Sequence, residues 1–184
     1  YPSCRYGHAG IDAVLALRKQ FVFAPSEIAR ITYGLSRAGL LLIGEPREDK
    51  QNPTNLVGAQ FSAPFVLSMA AISGAMTWDS YGRLHDPEVR ALMAKVDCVH
   101  DDDIEAEFPI NMSGKITIEV AGACHTNTVI VPFGEPSNFL SDDAILAKFE
   151  GLARPVIGER FRDIADVIGQ LDKLANVHKW LQSC

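Results

Sequence analysis

The stretch KITIEV at residues 115–120, continuing as AGACH at 121–125 and TNTVIV at 126–131, decides the fold class. Its first part alternates apolar with polar side chains, which is the period of a strand with one buried face. The five-residue connection contains Gly122 and has the length of a hairpin turn. The stretch therefore predicts two neighbouring antiparallel strands.

Strands and helices are predicted on both sides of this hairpin. Alternation predicts strands at 26–36 and 96–100, while 45–55 and 101–107 are predicted as exposed loops. Helical periodicity and helix-start signals predict helices at 8–20, 55–77, 86–95, 144–152, 157–171 and 176–182. Together they predict an α+β fold, a small antiparallel or mixed sheet with helices packed on one face in a two-layer sandwich.

The longest predicted helix, at 55–77, is expected to be the best-buried element. Large apolar side chains recur along it at helical spacing, and mostly Ala, Ser and Gly lie between them. Small residues let a neighbouring backbone approach closely, so we expect tight packing in the centre of the domain. Pro64 lacks a backbone N–H, so it either kinks this helix or sets its true start.

Composition and charge narrow the class of protein. The chain of 184 residues carries a formal net charge of −6 and has a pI of about 5.3. This acidity, without a basic stripe, argues against a nucleic-acid partner, and the longest uncharged run, 52–78, is too polar for a membrane span. The chain starts at Tyr1 and its first residues lack a signal-peptide pattern, so we expect a cytoplasmic protein that was processed or cut from a longer chain.

Cysteines and histidines give no sign of a disulfide framework or a metal site. The cysteines are far apart and form no C-x-x-C pair, so we expect free thiols at Cys4, Cys98, Cys124 and Cys184. No two of the five histidines have the spacing of a metal site, so no metal is predicted. The sequence also lacks the glycine-rich motifs that bind dinucleotides or phosphates.

The opening segment YPSCRYGH, at 1–8, puts several reactive side chains just before the first predicted helix. The N-terminus of a helix attracts anions through its free N–H groups and its dipole. Arg5 can add a bidentate contact to a carboxylate, and His8 can donate or accept a proton. The alternative is a plain lead-in to a helix, with one capping residue and a histidine whose hydrogen bonds are satisfied.

Four blocks of sequence resemble a single family. YPSC at 1–4 with HAGIDA at 8–13 is similar to the start of the second domain of the MmgE/PrpD family. GAQFSAPF at 58–65 resembles the family's segment at the head of a long helix, and 86–96 resembles the helix and strand after it. GEPSN at 134–138, with the Leu-Ser and Lys-Phe pairs after it, resembles a block near the family's end. The blocks keep the family's order and span nearly the whole chain.

The resemblance implies a C-terminal α+β lid domain over residues 1–184, and an upstream all-helical domain that is absent from this chain. The family includes 2-methylcitrate dehydratase, cis-aconitate decarboxylase and iminodisuccinate epimerase. Its members move a proton next to a carboxylate of a small di- or tricarboxylic acid, without a metal or an organic cofactor. We therefore expect such an acid as substrate, no cofactor, and a homodimer of the full-length protein.

The resemblance also implies which residues serve the site. His8 matches a position that is often histidine in the family, and we expect it to be catalytic. Arg5, Tyr6 and Gln60 lie in the two matching blocks that face the family's cleft, so we expect them to orient carboxylates. Phe65 stands where several members have a tyrosine that reaches the active site, so we expect it at the substrate site without that hydroxyl.

The activity implied is that of part of a lyase or isomerase, by default one similar to 2-methylcitrate dehydratase and inactive as this chain alone. Epimerase-like and decarboxylase-like activities are alternatives, as is a non-catalytic domain that binds a small acid or a partner chain. A contiguous exposed apolar patch of more than a few hundred Å² would favour a lid over a self-sufficient binding module.

Overall fold

The computed structural model describes residues 1–182. The chain forms two compact units, Tyr1–Phe139 and a second that begins at Leu140. The first unit contains the sheet and the residues predicted to serve the site. The second unit is helical. Each is described by itself below.

The described residues form one four-stranded sheet in the first unit. Its strands are β1 (Ile28–Leu35), β2 (Val96–His100), β3 (Gly114–Val120) and β4 (Ala123–Val129). The spatial order is β2-β1-β3-β4, with β1 parallel to β2 and antiparallel to β3, and β3 antiparallel to β4. The sheet is therefore mixed, and the predicted α+β class is confirmed.

The hairpin between β3 and β4 is tighter than the sequence predicts. Its turn consists of Ala121 and Gly122 alone, with φ values of 51° and 80°. Positive φ at both central residues is typical of the two-residue turn whose twist suits a hairpin. Because the turn is so short, β4 begins at Ala123 and pairs His125 with Ile118 across the ladder.

Along the chain, the helices and short helical turns of the first unit fall mostly between the end of β1 and the start of β2. The α-helices are α1 (His8–Gln20), α2 (Arg37–Gly39), α3 (Arg47–Gln51), α4 (Leu56–Gln60), α5 (Ala63–Ser73), α6 (Pro87–Met93) and α7 (Asp102–Glu107). A π-helical turn, Leu40–Gly44, follows α2, and 3-10 turns lie at Arg5–Gly7, Pro25–Glu27 and Trp78–Arg83.

The core lies between the sheet and two of these helices. Helices α1 and α5 pack against each other and against the strands. The strand side chains on this side, such as Ile31 and Ile118, are fully buried. The opposite side of the sheet is polar, with the hydroxyl oxygens of Thr117 and Thr126 2.9 Å apart across the β3–β4 ladder. The helices therefore pack on one face, as predicted.

The single long helix predicted at 55–77 is two helices, α4 and α5. Ser62 separates them, because its hydroxyl accepts a hydrogen bond from the backbone N–H of Phe65, 3.1 Å away, and caps the new helix. Pro64 lies in the first turn, where its missing N–H costs nothing, and so marks the true start. Gly74, with φ of 65°, ends α5, and nine of its eleven residues are buried, whereas α4 buries only Ala59, so the expected burial holds for α5 alone.

Two segments predicted as loops contain helices. The first holds α3, which is only five residues long, within a polar and mostly exposed stretch. The second is α7, whose first turn is capped by Asp101: its carboxylate accepts from the backbone N–H groups of Asp103 and Ile104. The acidic residues that suggested a solvated loop lie at the positive end of the helix dipole, where negative charge is stabilising.

The second unit contains α8 (Asp142–Ile157), α9 (Arg160–Ile168), a 3-10 turn at Leu171–Lys173 and α10 (Val177–Leu181). Helix α8 is capped by the Ser141 hydroxyl, begins two residues before the predicted start at 144, and continues through Pro155. Phe161 is buried, and its ring lies 6.4 Å from that of Phe149. In residues 1–182, no helix has both the length and the apolar character to cross a membrane.

Candidate functional site

The N-terminal segment is tied to the fold by its backbone. The N–H of Cys4 donates to the carbonyl of Gln60, at 2.9 Å, at the end of α4. The 3-10 turn Arg5–Gly7 then leads directly into α1. The sequence-predicted residues Arg5, Tyr6 and His8 therefore lie on one continuous segment, and the backbone of Gln60 is joined to it.

Tyr33, at the centre of the sheet, holds this segment in place through two hydrogen bonds of its hydroxyl. Its hydroxyl donates to the carbonyl of Tyr6, at 2.6 Å, and accepts from the N–H of Gly10, at 3.0 Å. The side chain is fully buried, and burial raises the pKa of Tyr33, so the hydroxyl keeps its proton. A Cβ at Gly10 would lie 2.7 Å from the tyrosine ring, and one at Gly114 only 2.6 Å from it. Glycine at both positions therefore makes room for the ring.

His8 is half-buried at the start of α1, and its ring nitrogen Nε2 lies 3.2 Å from the carbonyl of Ser3. A carbonyl only accepts hydrogen bonds, so this contact assigns the proton of the neutral ring to Nε2 and the free lone pair to Nδ1. Burial lowers the pKa of His8 and so favours this neutral form. An imidazole that is neutral near pH 7 can accept a proton.

Tyr1 and Asp12 hold the histidine ring in place. The edge of one aromatic ring faces the other, with the centroids of Tyr1 and His8 5.3 Å apart. The Tyr1 hydroxyl donates to Oδ1 of Asp12, at 2.5 Å. The other oxygen of Asp12 accepts from the backbone N–H of Phe133, at 2.7 Å. One carboxylate therefore anchors both the N-terminal segment and the loop that contains Phe133.

That loop brings a carboxylate to Arg5. The guanidinium Nε lies 2.5 Å from Oε1 of Glu135, and Nη2 contacts Oε2, so the pair is bidentate. The Arg5 side chain is 52% exposed, whereas that of Glu135 is only 16% exposed. Asn138 holds the loop, since its N–H donates to the Glu135 carbonyl, at 2.9 Å, and its side-chain amide donates to the Val131 carbonyl, at 3.0 Å.

Two predicted substrate-binding residues are placed differently from the others. The Gln60 side chain is half-buried, and its amide makes no hydrogen bond to the described residues. The ring of Phe65 is fully buried and stacks on Tyr81, with the centroids 5.5 Å apart. The Tyr81 hydroxyl donates to the carbonyl of Pro2, and burial raises its pKa to about 12. Phe65 thus supports the N-terminal segment through Tyr81, and its direct contact with substrate stays a prediction.

Reasoning from the sequence missed Asp12 and Glu135. Both stand in blocks that carry the family resemblance, HAGIDA and GEPSN, which was the available signal. The contacts that join them across the fold, Asp12 to Phe133 and Glu135 to Arg5, span 121 and 130 residues, beyond the reach of any local pattern. The cysteines are as expected: Cys4, Cys98 and Cys124 are free, and Cys184 lies outside the described residues. Among residues 1–182, no three His, Cys, Asp or Glu side chains cluster as metal ligands.

Comparison with known proteins shows the family of the chain. The sequence-family model of the MmgE/PrpD C-terminal domain matches residues 1–172, which include the N-terminal segment, the whole sheet and the Glu135 loop. A search of curated proteins finds no match. Because the match covers nearly the whole chain, this chain belongs to the MmgE/PrpD family, as its C-terminal domain.

Proposed function

We propose that this domain is the lid half of a cofactor-independent lyase or isomerase that acts on small di- or tricarboxylic acids, most simply a 2-methylcitrate dehydratase-like enzyme. The observation that carries the proposal is the pairing of groups on one rigid segment. A neutral imidazole with a free lone pair and an exposed guanidinium lie three residues apart, on a segment that the Tyr33 hydroxyl ties to the sheet through the Tyr6 carbonyl. Proton abstraction next to a carboxylate needs a base and a cation in this relation.

In this proposal His8 transfers the proton, with Nδ1 as the accepting atom. Its depressed pKa keeps it neutral near physiological pH, as a general base requires. Arg5 binds a carboxylate through its two N–H groups, and this electrostatic contact stabilises the negative charge that develops beside it. Tyr6 and Gln60 orient a second carboxylate. No step requires a metal or an organic cofactor.

The remaining catalytic groups come from the upstream helical domain that we propose precedes this one, in a cytoplasmic homodimer. Exposed apolar side chains in the first unit support a covering partner. They are Leu41, Leu42, Leu56, Val57 and Phe61, each 38–63% exposed. Two of these lie in the π-helical turn after α2, and three at α4, beside the residue that joins the N-terminal segment. Apolar side chains near a small-molecule site are typical of a closing domain interface.

The test compares this chain with the full protein that carries it. Both are given 2-methylcitrate and citrate, and the unsaturated acid product is followed by its absorbance. We expect turnover by the full protein alone. Replacing His8 with Gln should lower kcat in the full protein by about 100-fold or more, a typical contribution of a general base, while the melting temperature changes little. His85→Gln, at an exposed histidine in the same unit, is the matched control.

The alternatives give different results in the same experiment. Conversion of iminodisuccinate or cis-aconitate, but not of 2-methylcitrate, would assign the epimerase-like or decarboxylase-like reaction within the same site. Binding of these acids without any turnover would favour a non-catalytic domain. Turnover by the short chain alone would refute the lid proposal, because a complete catalytic set would then lie within these 184 residues.

A further inference from the structure

The Arg5 guanidinium, which the proposed function assigns to the substrate, already holds a carboxylate. Glu135 binds it through two parallel contacts, the arrangement that a substrate carboxylate would adopt. Glu135 also lies near the imidazole. Burial lowers the pKa of His8, and the negative charge of Glu135 is one of the smaller effects that oppose this shift. A protein carboxylate thus lies where an anionic substrate would meet both groups.

We propose that Glu135 occupies the carboxylate subsite of the empty enzyme and that a substrate carboxylate displaces it from Arg5. The proposal rests on the function proposed above and adds a rule of substrate selection. The exchange breaks and remakes the same kind of contact, so the first carboxylate of a ligand gains little by entering. Only an acid whose second or third carboxylate finds further donors is bound with net gain. Glu135 therefore lowers the affinity for every carboxylate by the same factor, and only di- and tricarboxylates, which make further contacts, stay bound.

The structure permits this exchange without rearrangement of the loop. The backbone around Glu135 is fixed by Asn138 and by the contact from Phe133 to Asp12, so the side chain alone has to turn away. Arg5 is half-exposed, which keeps its pair with Glu135 in contact with water and limits its strength. An ion pair at the surface is weak enough for a ligand of the same charge to replace it.

The closing experiment measures citrate binding by calorimetry with the full protein that carries this chain. Glu135→Gln removes the competing charge, and we expect the Kd for citrate to fall about fivefold, within the range of exposed ion pairs. Acetate, the monocarboxylate probe, should gain by a similar factor but stay the weaker ligand, because the same contact is exchanged and acetate makes no other. Glu150→Gln removes the same charge from another exposed arginine pair, that with Arg154, and should leave both affinities unchanged.

A second pair of variants protects the test against simple misfolding. Glu135→Asp keeps the charge on a shorter arm and should give an intermediate Kd. In an Arg5→Gln background, Glu135→Gln should have no effect on citrate binding, because the two residues act through one contact. Unchanged or weaker citrate binding by folded Glu135→Gln protein would overturn the proposal, and so would an equal gain in the Arg5→Gln background.

These outcomes are separable from failure of the proposed function. If the protein turns over none of the acids but Glu135→Gln still tightens citrate binding through Arg5, the carboxylate subsite is supported and the proposed reaction is refuted. If 2-methylcitrate is turned over and Glu135→Gln leaves the citrate Kd and the KM unchanged, the reaction stands and the role of Glu135 falls. Absence of citrate binding in every variant would overturn the subsite itself.

Discussion

Replacing Tyr33 with Phe removes one oxygen atom from the buried centre of the first unit. The hydroxyl joins β1 to the N-terminal segment, since it donates to the Tyr6 carbonyl at 2.6 Å and accepts from the Gly10 N–H at 3.0 Å. The ring itself remains, so the packing against neighbouring side chains is preserved. The change therefore isolates two hydrogen bonds whose partners are backbone groups.

The magnitude follows from what the substitution leaves behind. Each buried polar group that loses its partner costs about 1–3 kcal/mol, and Gly10 is buried while Tyr6 is half-buried. We therefore expect the free energy of unfolding to fall by about 2–4 kcal/mol. For a chain of this length, that loss lowers Tm by roughly 5–15 °C.

The assay is urea and thermal unfolding of this chain, followed by far-UV circular dichroism. Tyr6→Phe is the matched control, because only the backbone carbonyl of Tyr6, and not its hydroxyl, takes part in a hydrogen bond to the described residues, and loss of the hydroxyl should change stability by less than about 0.5 kcal/mol. A Tyr33→Phe protein as stable as the control would refute the reasoning. It would mean that water or a small backbone shift satisfies both groups.

Two further predictions concern Gly10, with a control at Gly151, and His8. Gly10→Ala should destabilise the chain by about 1–3 kcal/mol despite better helix propensity, because the new Cβ would lie 2.7 Å from the Tyr33 ring. Gly151→Ala, in α8, should instead stabilise the chain by about 0.5–1 kcal/mol, because no atom lies within 4 Å of the new Cβ. Urea unfolding that changes the free energy of unfolding in the same direction for both variants would contradict this pair of predictions. The lowered pKa of His8 means that below about pH 6.5 the unfolded chain binds more protons than the folded one, so stability falls with acidification. His8→Gln should reduce the loss of stability between about pH 7.5 and about pH 5.5, and an unchanged pH slope would show that His8 does not titrate differently on folding.

The sheet was predictable from the sequence because its signals are local. Alternation in β1, β2 and β3 reflects one buried face, and each strand lies close to its predicted bounds. The start of β4 was missed because the turn depends on a positive φ at Ala121, where alanine gives no sign of one. The break at Ser62 was only partly predictable: apolar residues keep helical spacing across it, and Pro64 signalled either a kink or a new start without deciding between them.

The candidate site was predictable only in its contiguous part. Arg5, Tyr6 and His8 lie within four residues of each other, so the sequence alone shows that they belong to one segment. Which partner each side chain takes depends on how the sheet and α1 bring distant segments together. Phe65 shows the same limit, since a motif places it near the site while the fold turns its ring into the core.

Asp12 joins the two parts of the candidate site, the N-terminal segment with His8 and the loop with Glu135. It lies on the first turns of α1, the helix packed most extensively against the sheet and α5, so its position is set by the core. One of its oxygens holds the tyrosine that packs on His8, and the other holds the loop that carries Glu135. The proposed base and the proposed competing carboxylate are therefore both held, directly or through one residue, by the Asp12 carboxylate. In the proposed exchange, a substrate carboxylate binds Arg5 and only the Glu135 side chain turns away. The imidazole of His8 keeps its position relative to the helix.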